Sequence, residues 1–460
     1  MDQGRGSWHI HINYCRERMT TIRNTNSLLH NFEVYFGEFE RSLNGESQTG
    51  WHKIRKKAFQ KLVETGFPDR KHEEYRYTPM TQRIEKAFQV FPEFDLQKSG
   101  DKQPDISACL PQGMKANILV FVNGNYQAHL SKCIPEDNLH ILELADAIGD
   151  QEVEKYLGES VSHTDSFALL NTAFSSNGIV LKVLRNQIIQ NPVYMIHITD
   201  GSLNNRVNQP RILILFDKNS QATIAEFFFS KGDKTIFTNA FTEIRVGENA
   251  TVRYIRAGLE NNQALRVSNI SVYQEESSTF TSVNVDLEGK LIRNNLNIIQ
   301  NGRGCETHMY GFYLLTDNMH VDNHTVVDHK YPDSQSNEIY KGIMANKSTG
   351  VFNGKIYVRQ DAQRTNAYQQ NSNILLSNDA SINTKPQLEI WADDVKCSHG
   401  CTTGQIDQEQ IFYMRSRGLD EAQAKTILLH AFALDILNHI NIEELRSMLD
   451  LKVIEKLNNV

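Results

Sequence analysis

The chain reads as mainly β with flanking α: a core of stacked strands between N- and C-terminal helical segments. Three observations predict this. Over residues 179 to 390, short runs of β-favouring residues recur, separated by Asn, Asp, Gly and Ser. No stretch among them is long enough for a crossover helix, which excludes a doubly wound sheet. On either side, apolar residues fall at helical spacing instead.

The elements follow in order. Residues 1 to 18 have an odd composition and are predicted to be a poorly ordered leader, with Met19 a plausible alternative start. Residues 19 to 113 form an N-terminal helical domain and linker. Leu28, Leu29, Phe32, Val34, Tyr35, Phe36 and Phe39 give an apolar face at helical spacing, as do Ile54, Ala58, Leu62 and Val63. Gly66 and Pro68 stop the second helix, and Pro92, Pro104 and Pro111 mark the linker. The basic stretch from Trp51 to Tyr77 reads as a solvated helix face.

Residues 114 to 176 form a mixed segment. It holds a hairpin about Asn123-Gly124-Asn125 and short helices at 139–148, 152–157 and 166–174. The strand-rich core spans 177 to 402. It carries a weak internal repeat, in which residues 216–224 align with 246–254, and 376–382 follow the same frame. Each copy has an apolar residue, a polar turn ending in Asn or Asp, a small residue, then alternating inward positions. A stacked coil requires this pattern, though it fits both a β-helix and a β-sandwich. From 403 to 460 the chain is helical again: Asp407 and Asp420 are N-caps, Gly418 is a stop, and a last helix covers 442–457.

Composition removes several function classes. A net charge of −7 and a pI near 6.2 argue against a general nucleic-acid binder. No apolar run approaches the roughly 18–20 residues that cross a bilayer. The N-terminus has no apolar signal-peptide core. Six cysteines spread over 460 residues make no disulfide framework, so a reducing cytoplasm fits best. Cys15, Cys109, Cys133 and Cys305 read as small buried or surface thiols. No nucleotide-binding loop is found, and no hydrolase or zinc-protease signature. The chain has no self-sufficient catalytic motif.

Two clusters carry chemistry. On a strand, His320, Asp322 and His324 share one face and His329 takes the other; a hydrogen-bonded ladder is the plain reading, metal binding the alternative. The stretch Cys397-Ser398-His399-Gly400-Cys401 is the sharper one. If extended, it puts Cys397, His399 and Cys401 on one face, where sulfur and imidazole suit iron, zinc or sulfur species. Lys396 favours a thiolate at Cys397, while Asp393 and Asp394 oppose it.

The phrase from Lys385 to Gly400, the run Gly404-Gln405-Ile406-Asp407, Tyr413 to Gly418, and Val351-Phe352-Asn353-Gly354-Lys355-Ile356 together resemble the SufB/SufD family of iron–sulfur cluster assembly proteins. The Cys-Ser-His-Gly form and the segment Gly66 to Pro79 are similar to its SufD-type branch. The resemblance implies a right-handed parallel β-helix core between helical domains, in a non-catalytic scaffold that aids iron acquisition. It implies a SufB-like paralogue bound through the β-helix and a SufC-like ATPase on the C-terminal helices, with a homodimer when alone. It also implies that the lone chain binds no cofactor tightly, and that a transient iron or cluster is shared with the SufB-like partner. Cys397 and His399 match the family's interface residues and are the implied iron ligands. Residues 366–371, where SufB-type chains carry a cysteine, lack the thiol. Cys401 departs from the family's small residue, either as an extra ligand or as a tolerated thiol. The rival readings are a β-helix carbohydrate enzyme using Asp322 and Asp328, and a metal-free structural homodimer.

Overall fold

A computed structural model describes residues 28–43, 50–88, 104–135, 138–159, 165–175, 177–202 and 206–460. The predicted leader therefore lies outside the described residues, as do Cys15 and most of the linker.

The described helices are α1 (Leu28–Ser42), α2 (Gly50–Thr65), α3 (Met80–Ala87), α4 (Gln151–Tyr156), α5 (Ser166–Phe174), α6 (Gln408–Ser416), α7 (Glu421–Leu437) and α8 (Glu443–Leu457). The strands begin with β1 (Asn117–Val122), β2 (Asn125–Tyr126), β3 (Leu139–Glu143), β4 (Gly178–Val183), β5 (Val193–Gly201), β6 (Arg206–Asn208) and β7 (Arg211–Phe216). They continue with β8 (Gln221–Gly232), β9 (Ile236–Val246), β10 (Thr251–Leu259), β11 (Leu265–Gln274), β12 (Thr279–Asp286), β13 (Leu291–Gln300) and β14 (Glu306–Leu315). The stack closes with β15 (His320–His329), β16 (Gln335–Met344), β17 (Thr349–Val358), β18 (Thr365–Leu375), β19 (Ser381–Ile390) and β20 (Val395–Gly404).

From β7 onward, successive strands alternate between two sheets and pair in parallel with the strand one turn away, while β6 joins β7 alongside β9. The result is a parallel β-solenoid of about seven turns. This resolves the β-helix versus sandwich ambiguity, because a sandwich built from hairpins would pair its strands antiparallel.

The repeat is explained by the corners. Asn186, Asn219 and Asn249 all have positive φ, a conformation that Asn tolerates better than most residues. Their amides form a ladder, with Asn249 Nδ2 donating to Asn219 Oδ1 (2.9 Å) and Asn219 Nδ2 to Asn186 Oδ1 (2.7 Å). The third copy is corrected: residues 376–380 join β18 to β19 and so form the opposite corner, whereas 217–220 and 247–250 lead out of the other sheet.

Inside the solenoid, apolar rows such as Ile214, Ile224, Ile244, Val252, Phe280, Ile298 and Phe352 form the main core. Outside, one sheet is covered by the N-terminal helices: Phe32, Phe36, Phe167 and Phe174 pack against Phe237, Phe241 and Val267. The other is covered by α7 and α8, whose Leu429, Ile436, Leu445 and Leu449 meet Tyr310, Phe312 and Ile343. Burial of both outer faces is what gives parallel sheets their long apolar runs.

Local signals mostly held. Asn123 and Gly124, both at positive φ, make the two-residue turn between Val122 and Asn125. Asp420 caps α7 through a reciprocal capping box with Gln423. Asp420→Ala is expected to lower stability by about 1 kcal/mol in chemical denaturation. Two readings are corrected. The helix predicted at 139–148 is strand β3 followed by turns, because its backbone pairs antiparallel with β4 at the sheet edge. The basic N-terminal face is not wholly solvated. Arg55 is buried and donates from Nε and Nη2 to the Ser175 carbonyl (3.0 and 2.8 Å). Among the described residues, no helix is long and apolar enough to cross a membrane.

Candidate functional site at the open end of the solenoid

The last turn is made by β19 and β20, each the terminal strand of its sheet, with one neighbour only. β20 sits in register on β18, with Cα partners Ala367↔Cys397, Gln369↔His399 and Asn371↔Cys401. Ala367, Gln369 and Asn371 are buried lumen residues, so strand alternation aims Cys397, His399 and Cys401 into the mouth of the lumen. The sequence reading of one shared face is right.

The three residues do not converge on one point. Successive same-face positions are roughly 6.6 Å apart along a strand, so Cys397 and Cys401 stand roughly 13 Å apart at the backbone. Among the described residues, no group of three His, Cys, Asp or Glu side chains is placed to hold one metal. Neighbouring pairs remain: Cys397 with His399, or His399 with Cys401. Both His399 and Cys401 are exposed. The Cys401 thiol donates to Thr384 Oγ1 on β19 at 3.4 Å, across the mouth.

Cys397 is half-buried against Ile356, Val358, Ala362 and Ala367. Burial pushes its thiol above the ordinary range, a backbone contact with Ala367 offsetting this in part. It therefore keeps its proton at neutral pH, and a metal would have to displace that proton to bind the sulfur. Lys396 does not counter this, because alternation turns it to the outer face, where it is exposed.

The other histidine cluster is a docking surface within the chain. His320, Asp322 and His324 lie on the outer face of β15, beneath the segment Glu73 to Thr78. Thr78 Oγ1 is 3.0 Å from His320 Nε2. His324 lies between Glu74 Oε2 (3.2 Å) and Asp322 Oδ1 (3.0 Å). Arg293 Nη1 donates to Asp322 Oδ2 (2.6 Å) and Asn353 Nδ2 to Glu74 Oε2 (3.0 Å), while Lys355 pairs with Glu74. The contact with His324, joined by Lys355, holds the Glu74 carboxyl down at about 2 against the effect of burial. Burial also opposes ionisation of Asp322, but Arg293 and His324 outweigh it and its carboxyl is lowered.

Asp322 is 1% exposed, and Asp328 is held by both Arg359 Nε (2.7 Å) and Nη2 (3.0 Å). Asp322 borders a small cavity of about 210 Å³ beneath Glu73, Glu74 and Tyr77, but both of its oxygens are engaged by Arg293 and His324. His329 faces the lumen and contacts Ser336 Oγ at 3.0 Å.

Sequence reasoning missed two features of this end. One is a row of polar lumen residues behind His399, Gln369 and Glu338, which no local pattern marks. The other is an exposed outer cluster, with Trp391 49% exposed and Arg359 seated over the rings of Tyr357 and Trp391. The wide spacing of Trp391 from Arg359 and Tyr357 in sequence hides it.

Residues 197–432 match the family model described as "SUF system FeS cluster assembly, SufBD core domain", and residues 27–195 match "SufBD protein N-terminal region". The iron–sulfur cluster assembly protein SufD of Escherichia coli is 31% identical over 400 residues, covering 86% of this chain and 91% of that protein. An iron–sulfur cluster assembly SufBD family protein of Synechocystis is 31% identical over 403 residues, covering 83% and 86%. Protein ABCI7, chloroplastic, of Arabidopsis thaliana is 27% identical over 423 residues, covering 88% and 86%.

Proposed function

Because the chain belongs to the SufBD family of SUF-system iron–sulfur cluster assembly proteins, we propose that it is the SufD-type, non-catalytic scaffold subunit of a SufB–SufC–SufD-type complex. The observation that carries this reading is the bare terminal turn, where Cys397 and His399 face an open lumen mouth. An uncovered pair of ten-residue edge strands is a template for another chain. A SufB-like paralogue adding its own strands there covers the edge and brings the missing thiol beside His399. The exposed Trp391, Ile390 and Arg359 suit such a contact, since aromatic residues and Arg dominate binding energy at interfaces. Iron and the nascent cluster are the cargo of this shared site, held transiently, and the chain thereby aids iron acquisition.

The SufC-like ATPase is assigned to the C-terminal helices. Phe412 and Tyr413 on α6 are 74% and 59% exposed. Beside them, a groove of about 980 Å³ runs between α7, α8 and the solenoid corner, lined by Leu376, Ile406, Leu419 and Ile427. ATP hydrolysis on that partner would be felt here as a conformational change. The five described cysteines are all free, as a reducing compartment such as the cytoplasm requires.

Co-expression with SufB-like and SufC-like partners tests the assembly. The full chain should co-purify with both, and Phe412→Ala/Tyr413→Ala, which alters exposed residues of α6 and leaves the packing of α7 and α8 intact, should lose the SufC-like partner alone. Retention of that partner by the double variant removes the docking assignment. Within the complex, His399→Ala should slow cluster assembly at least tenfold, the scale of a lost ligand or its support, while Ser398→Ala on the opposite face leaves the rate within twofold. Equal rates for His399→Ala and the parent end the role given to the histidine. A second copy of the chain can cover the same edge, so the mass of the isolated protein should be that of a dimer if the edge is sticky by itself.

A further inference from the structure

The lumen holds several wholly buried carboxylates, and nearly all face a cationic group. Glu226 faces His197, and Glu260 and Asp286 face Arg266. Glu338 on β16, fully buried, faces none among the described residues. Its oxygens instead accept from the Thr325 hydroxyl across the lumen (2.5 Å) and from Gln369 Nε2 one turn above (2.8 Å).

This pairing fixes the Gln369 amide. A carboxylate only accepts, so Nε2 must point at Glu338 and Oε1 away from it. Gln369 Oε1 is buried and has no hydrogen-bond partner among the described residues. Such an atom calls for an explanation. The next residue in its column is His399, the Cα partner of Gln369. Adjacent strands lie about 4.8 Å apart, so same-face side chains at partnered positions are neighbours. Gly354 provides the space, since a Cβ there would lie 2.1 Å from Gln369 Nε2.

We propose that Gln369, anchored by Glu338 and Thr325, is the positioning residue of His399: its Oε1 accepts the proton of one ring nitrogen and so presents the other, with its lone pair free, at the mouth of the lumen. The proposal rests on the reading that His399 acts at this mouth. Histidines that serve as ligands usually donate their second nitrogen to such an acceptor, which fixes both tautomer and ring orientation. The unpaired acceptor lies one turn below the surface, at the position partnered with His399.

The test is the tautomer of His399 in the full chain labelled with [15N]histidine, its signals assigned by their loss in His399→Gln. At pH 8 Glu338 is ionised, since burial pushes it only to about 7. The parent should show one well-separated pair of ring nitrogen shifts. In Gln369→Leu the separation should fall at least twofold as the two tautomers average. The double variant Glu338→Leu/Gln369→Leu leaves no stranded carboxyl and should behave the same way if the single variant fails to fold. Unchanged shifts in either folded variant overturn the proposal. Cluster assembly by His399→Ala is read separately. A tautomer that follows Gln369, with assembly indifferent to His399, sinks the proposed function and leaves the positioning intact; the reverse pattern does the opposite.

Discussion

Glu338→Gln is expected to raise the unfolding free energy by about 3 kcal/mol at pH 8.5 and to change it little at pH 4. Burial lifts the Glu338 carboxyl from 4.5 to about 7, with the Thr325 and Gln369 hydrogen bonds offsetting part of the rise. Below pH 4.5 the group is protonated in both folded and unfolded chains and costs nothing. Between 4.5 and about 7 the unfolded chain ionises while the folded one keeps its proton, so stability falls as pH rises. Above 7 both are ionised, and the full penalty of a buried, unpaired anion remains. Glutamine keeps the shape and the acceptor and removes the charge. Its new donor can be met by Gln369 once that amide turns over. Denaturation midpoints at pH 4, 6 and 8.5 check this; a variant no more stable than the parent at pH 8.5 would sink it.

The second large effect has the opposite slope. Burial holds His320 and His329 at about 4, well under 6.5. A lowered histidine contributes stability that is complete above its unfolded value and is lost as pH falls through the interval to the folded one. Each should therefore give up about 3 kcal/mol between pH 6.5 and 4. His320 touches Thr78, so its protonation loosens the N-terminal segment from β15; His329 touches Ser336, so its protonation strains the lumen. Together they outweigh what Glu338 returns over the same range. The double variant His320→Gln/His329→Gln should flatten the acid limb, and an unaltered limb would show that other groups control it. Glu74 and Asp322, whose carboxyls are lowered, add their own loss only at more acid pH.

How far the fold was legible depended on which residues line the lumen. β8 and β10 carry Ile224, Val252 and Tyr254 at alternate positions and are plain in the sequence. β16 and most of β18 are not, because Ser336, Glu338, Gln369, Asn371 and Asn373 interrupt their inward rows and weaken the alternating apolar signal that Tyr340 and Met344 alone would carry. The caps Asp407 and Asp420 were readable because capping is local chemistry. The β3 strand was not, since its partner β4 is what makes it a strand. For the site, period-two spacing alone aligned Cys397, His399 and Cys401. The column Glu338, Gln369, His399 needs the register between turns, which no single stretch reveals. The same holds for Thr78 on His320, 242 residues apart.

The bare edge of β20 has a thermodynamic consequence. In a one-dimensional stack, each turn is stabilised by two neighbours except at the ends, where one interface term is missing. The rung that carries Cys397 and His399 is thus the one most prone to fraying, and its order is linked to occupancy of the end. A chain that docks there supplies the missing term, so binding a partner and stiffening Cys397 and His399 become a single equilibrium. In the proposed complex, cargo handed to this rung would be held firmly only while the stack continues beyond it.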